Sequence, residues 1–67
     1  MNIYVNNENI VLPDKSVVTD LLEQMGITAR KGIAIAVNST VVPAAEWEYH
    51  IITDQDRIMI IKATQGG

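Results

Sequence analysis

The chain has 67 residues, 48% of them hydrophobic, with no cysteine, one histidine and a net charge of −3 from eight acidic and five basic side chains. That length supports one small domain, and the domain must fold on packing, since neither a disulfide nor a thiolate metal site can staple it. The acidic balance argues against nucleic acid and anionic membrane surfaces as partners, and no apolar run approaches the ~20 residues of a membrane span. The start, Met1-Asn2-Ile3-Tyr4, has no basic region or signal-like apolar stretch, so a cytoplasmic protein is expected.

Met1, Ile3 and Val5 alternate with Asn2, Tyr4 and Asn6, the period of a half-buried strand. Asn6-Asn7-Glu8-Asn9 reads as a turn, because asparagine tolerates the left-handed region, and Ile10-Val11-Leu12 reads as the returning strand of a hairpin. Pro13-Asp14-Lys15 breaks the hairpin. Val18, Leu21, Leu22 and Met25 then recur at helical spacing, predicting a three-turn helix over 16–25 with Ser16 as N-cap and Gly26 as left-handed C-cap. Arg30 and Lys31 follow, where positive charge suits the helix dipole.

A third strand is expected over 33–37, a tight turn at Asn38-Ser39, and a short fourth strand over 40–42 stopped by Pro43. Ala44 to Trp47 has room for one helical turn, and 47–52 reads as an irregular, partly buried connection. Residues 53–57 form a turn. Residues 58–63 form the last strand, apolar on both faces until Lys62, which predicts a central position. The expected fold is α+β: one main helix packed on a mixed sheet of four or five strands, with the last strand beside the first. The domain spans 1–63, and 64–67 is expected to be a flexible tail.

That tail reads Thr64-Gln65-Gly66-Gly67. Glycine lacks a Cβ, so such a tail can thread a narrow cleft and present its carboxylate to a nucleotide. A frayed end is the plain alternative. One helix covers only one face of a sheet, so either Ile58 and Ile60 or Met59 and Ile61 should face outward as an apolar patch of the kind that marks a partner site. The competing expectation is that the 47–52 connection covers that face. His50, with no base or nucleophile nearby in sequence, reads as structural. Asp54 and Asp56 fall short of the ~6–8 oxygens that calcium takes, so they read as turn formers. Trp47 reads as a core or rim anchor.

The hairpin–helix–strand order, the central last strand and the Gly-Gly end together resemble the ubiquitin-like β-grasp sulfur carriers of bacteria. Within them the chain is most similar to the thiamine-biosynthesis family ThiS, over essentially its whole length. The carrying motifs are Val18-Thr19-Asp20-Leu21-Leu22-Glu23, then Ile35-Ala36-Val37-Asn38-Ser39-Thr40-Val41-Val42-Pro43 with Trp47 four residues on, and Asp54-Gln55-Asp56-Arg57-Ile58. Two positions depart from the family pattern: Ala44 stands where many relatives have Arg, and Gln55 where Gly is usual. If position 55 needs a positive φ, Gln55 costs roughly 1–2 kcal/mol.

The resemblance implies a carrier with no catalytic residue, bound cofactor or metal of its own. It implies Gly67 as the covalent site and Gly66 as part of its slim approach. A ThiF-like activating enzyme would adenylate the Gly67 carboxylate with ATP, and a persulfide donor such as a cysteine desulfurase would convert it to a thiocarboxylate. A ThiG-like thiazole synthase would take the sulfur. Ile58, Met59, Ile60 and Ile61 are the candidate docking residues. Three alternatives stay open: a carrier like the small subunit of molybdopterin synthase, a ubiquitin-like interaction module with an inert or lysine-linked tail, and a regulatory β-grasp domain in which Gly-Gly is linker.

Overall fold

The alternation of Ile3 and Val5 with polar neighbours makes the first strand, β1 (Asn2–Val5), and Asn6 and Asn7 turn it back. Both asparagines have positive φ, 50° and 69°, so the connection to β2 (Glu8–Val11) is a two-residue hairpin turn and not the longer turn that the polar run suggests. The computed structural model describes residues 1–28 and 31–62; the expected tail, the domain boundary at 63 and Arg30 lie outside them.

The helix α1 (Val18–Gln24) is shorter than the expected 16–25. Ser16 is not its N-cap. The Ser16 hydroxyl donates to the Pro13 carbonyl at 2.7 Å, and Val17 forms a β-bridge with Ile51, so the chain is still extended there. The helix start is instead closed by Asp20, whose carboxylate accepts the Val17 N–H at 2.9 Å. The end follows expectation. Gly26, at φ +74°, carries the left-handed turn, its N–H donates to Glu23 at 3.0 Å, and Ile27 N–H donates to Leu22 at 2.8 Å. Ile27 then packs on the core beside the helix it terminates.

After α1 come β3 (Ile33–Val37), β4 (Thr40–Val42), a 3-10 turn (Ala44–Glu46) and β5 (Arg57–Lys62). Asn38 and Ser39, with φ of 50° and 71°, make the β3–β4 connection a second two-residue turn. The sheet order is β2-β1-β5-β3-β4, with β5 parallel to β1 and antiparallel to β3. The two-faced apolar strand is therefore central, beside the first, and the sheet is mixed: a β-grasp.

Ile3, Val5, Leu12, Val18, Leu21, Leu22, Ile35, Val37, Val42, Trp47, Ile52, Ile58 and Ile60 form one core between the helix and one face of the sheet. The 47–52 connection belongs to that side. Thr19 N–H donates to the Trp47 carbonyl, Val18 N–H to that of His50, and Ile52 N–H to that of Ser16. Trp47 is 2% exposed and its indole N–H donates to the Val42 carbonyl at 2.8 Å, so it is a core anchor. Among the described residues no helix is long and apolar enough to cross a membrane.

Candidate functional site

The functional question centres on β5, because it runs toward Gly66 and Gly67. Those two glycines lie outside the described residues, so the structure positions the strand that leads to them. Two asparagines hold that strand. Asn38 Oδ1 accepts the Arg57 N–H at 2.9 Å and its own N–H donates to the Arg57 carbonyl at 2.7 Å. Asn6 Oδ1 accepts the Ile60 N–H at 2.9 Å, and Asn6 Nδ2 donates to the Ile60 carbonyl at 3.3 Å. Each clamp comes from a hairpin turn, so the turns that shape the outer strands also seat the central one.

The turn before β5 is ordered by Asp56, 8% exposed. Its carboxylate accepts the Thr53 N–H at 2.8 Å, the Thr53 hydroxyl at 2.9 Å and Asn38 Nδ2 at 3.0 Å. Burial on its own raises the Asp56 pKa. The hydrogen bonds from Thr53 and Asn38, with a smaller attraction from His50, outweigh it and hold the carboxyl below its ordinary value. Asp54 accepts the Asn2 N–H at 2.7 Å. Asp56 thus orders the turn itself, while Asp54 ties the turn to β1. His50 contributes main-chain hydrogen bonds at the helix start. Gln55 has φ 69°, so this position does take the positive value at which glycine is usual.

The register divides the four apolar residues of β5. Ile58 and Ile60, 3% and 8% exposed, lie in the core and cannot meet a partner; Met59 and Ile61, 51% and 53% exposed, face away from the helix. The 47–52 connection does not cover them, being bonded to α1 on the other side of the sheet. Register pairs Met59 with Ala36 and Ala36 with Val41, and pairs Ile61 with Ala34. These five residues make an apolar strip along the open face. At the start of β5, Arg57 lies across from Tyr4, its guanidinium carbon 5.4 Å from the ring centre. Beside it Tyr4, Asn6, Asn7, Ala36, Ser39 and Met59 line a groove of about 370 Å³ between the two hairpin turns. Sequence reasoning offered four docking residues without the register that selects two, and it missed Tyr4 and Arg57, whose pairing spans most of the chain. A more open hollow of about 630 Å³, bordered by Asp14, Asp20 and Glu23, lies on the helix side, away from β5.

A single helix gripped by a five-stranded mixed sheet, one sheet face open, and a central strand leading toward Gly-Gly define a small protein of the ubiquitin-like β-grasp class. The chain belongs to the ThiS family, which it matches over residues 1–67. The sulfur carrier protein ThiS of Escherichia coli (strain K12) is 33% identical to it over 67 residues, which is 100% of both proteins. A crystal structure of the thiamine biosynthesis protein ThiS from Geobacter metallireducens has a TM-score of 0.85 at 20% identity and full coverage of both chains. A solution NMR structure of a thiamine biosynthesis protein from that organism gives 0.80 at 20% identity, covering 100% of this chain and 88% of that one. At that identity the two structures speak to the fold.

Proposed function

We propose that this protein carries sulfur for thiazole formation in thiamine biosynthesis, as a thiocarboxylate at Gly67. The observation that carries this reading is the family match through residue 67, which includes both glycines, joined to full-length similarity with a sulfur carrier protein. A carboxylate is a poor acyl donor because its leaving group would be an oxide. Attack of the Gly67 carboxylate oxygen on the α-phosphorus of ATP expels pyrophosphate and leaves an acyl-adenylate. The terminal sulfur of a persulfide then attacks the acyl carbon, and AMP departs. A thiol cleaves the resulting acyl disulfide, forming a disulfide with the donor sulfur and releasing the thiocarboxylate. The thiocarboxylate sulfur attacks an electrophilic carbon of the acceptor to form a thioester. An oxygen nucleophile, water or a hydroxyl of the acceptor, then cleaves the acyl–sulfur bond, leaving sulfur on the acceptor and returning Gly67 to a carboxylate once any ester formed is released. The carrier is thus a co-substrate; the chemistry belongs to an ATP-dependent activating enzyme and a thiazole synthase.

Two features of this chain suit the role. It has no cysteine, so no internal thiol can capture the activated acyl group. Its open sheet face offers Met59 and Ile61 as a docking surface. Contacts there would offset the ordering of the tail, which costs on the order of 1–2 kcal/mol per residue. The test is intact mass after incubation with ATP, the activating enzyme and a persulfide donor. Replacement of one oxygen by sulfur in the C-terminal fragment supports the reading; a mass unchanged under conditions that adenylate and thiolate a known carrier overturns it.

A further inference from the structure

We propose that the groove between the two hairpin turns receives an acidic side chain of the protein that docks on the open sheet face, with Arg57 as its anchor. The proposal rests on reading that face as the docking surface. Register places Asn2, Asn9 and Val11 on the same face as Tyr4, Arg57, Met59 and Ile61. None of the described strand residues whose side chains share this face is acidic, although the chain has eight acids against five bases. Among the described residues the charge on this face is a lone cation, Arg57, at one end of an apolar strip. A nucleic acid would need a row of cations to follow its phosphates. A partner protein with one carboxylate beside apolar side chains matches what is there.

Arg57 is held in place but has no acidic partner among the described residues. Its guanidinium rests over the Tyr4 ring, 5.4 Å from the centre, which holds a long side chain against the sheet. The one ion pair among the described residues joins the Met1 ammonium to Asp14, and no side-chain hydrogen bond among them uses the Arg57 donors. A guanidinium fork that is steadied by a ring and has no carboxylate partner among the described residues is prepared to take one from outside, bidentately. The groove is about 370 Å³, with Met59 and Ala36 to meet the methylenes of an Asp or Glu and Asn6, Asn7 and Ser39 as polar neighbours.

The experiment measures the dissociation constant for the cognate adenylating enzyme at low and moderate salt, using the full chain and its Arg57→Gln, Arg57→Lys and Ile61→Asp variants, each checked for folding. A charge-assisted contact of this kind predicts about 10- to 100-fold weaker binding for Arg57→Gln, with most of the salt dependence gone. Arg57→Lys should recover only part of the affinity, since an ammonium cannot form the fork. If Arg57→Gln binds within twofold of the parent while Ile61→Asp is weakened, the carboxylate anchor is wrong and the docking face stands. If Ile61→Asp also binds like the parent, the docking face is wrong and the anchor falls with it.

Discussion

The side chain of Asn6 brackets Ile60, accepting its N–H at 2.9 Å and donating to its carbonyl at 3.3 Å, across 54 residues of sequence. Parallel pairing of β1 with β5 stops at Val5 and Ile58, because the chain turns away at Asn6. The side-chain amide of Asn6 then takes the place that a further β1 residue would have, while its own backbone sits at φ 50°. One residue therefore both ends the first strand and prolongs the hold on the last.

Asn6→Gly keeps access to positive φ and removes the bracket; Asn6→Ala removes the bracket and disfavours that φ. Loss of the bracket should cost about 1–3 kcal/mol, as for a partly buried backbone pair left without partners. Asn6→Ala should cost about 1 kcal/mol more. Urea denaturation measures both, and faster amide exchange at Ile60 in each variant locates the loss.

Gln55 is strained in a way that glycine would not be. At φ 69° its side chain incurs roughly 1–2 kcal/mol, partly offset because glycine loses more freedom on folding. Gln55→Gly should therefore stabilise the domain by about 0.5–1 kcal/mol, with a thermal midpoint several degrees higher. An unchanged or lower midpoint would show that Gln55 makes compensating contacts.

How far the sequence discloses this architecture follows from which interactions are local. Alternation locates the first strand, Gly26 the helix end, and the two-faced run from Ile58 to Ile61 the centre of the sheet, each signal lying within a few residues of what it specifies; the second strand, expected over 10–12, begins at Glu8 because the turn takes only Asn6 and Asn7. The helix start did not follow, since Val17 is held extended by Ile51, a distant partner with no local trace. The Asn6–Ile60 and Asn38–Asp56 contacts were equally hidden. The outward pair on β5 had to await register, because shifting a strand by one residue exchanges its faces. Gly66 and Gly67 lie outside the described residues, so the chemistry proposed for them rests on the sequence and the family match.

Asp56 gives the domain an acid-sensitive turn. Its folded pKa lies below its unfolded one, so as pH falls the unfolded chain takes up the proton first. The Asp56 contribution is thus complete above the unfolded value near 4 and declines as pH drops through the folded value. Asp56→Asn should lower stability at pH 7 and flatten the acid limb of a stability–pH curve. A variant with the parent's acid limb would assign that limb to other carboxylates.

Alternate residues of β5 should respond oppositely to a buried-charge test. Ile60→Glu places a carboxylate where the side chain is 8% exposed and should unfold the domain. Met59→Glu and Ile61→Glu, at positions 51% and 53% exposed, should leave circular dichroism and the thermal midpoint nearly unchanged. On the proposed docking they should weaken binding to the activating enzyme by ~2 kcal/mol each. Titration calorimetry with the folded variants measures this directly.

If the carboxylate of Gly67 is the reacting group, deleting Gly67 removes it from reach. The deletion shortens the reach of the carboxylate by about 3.3–3.6 Å, and a 1 Å misplacement of a reacting atom can cost about a hundredfold in rate. The measurement is ATP–pyrophosphate exchange with the cognate activating enzyme, followed by intact mass for exchange of one oxygen by sulfur. The account predicts a folded chain lacking Gly67 with neither exchange nor thiolation, a severe loss for Gly66→Val, and reduced activity for Gly67→Ala. Adenylation and thiolation of the shortened chain at the parent's rate would contradict it.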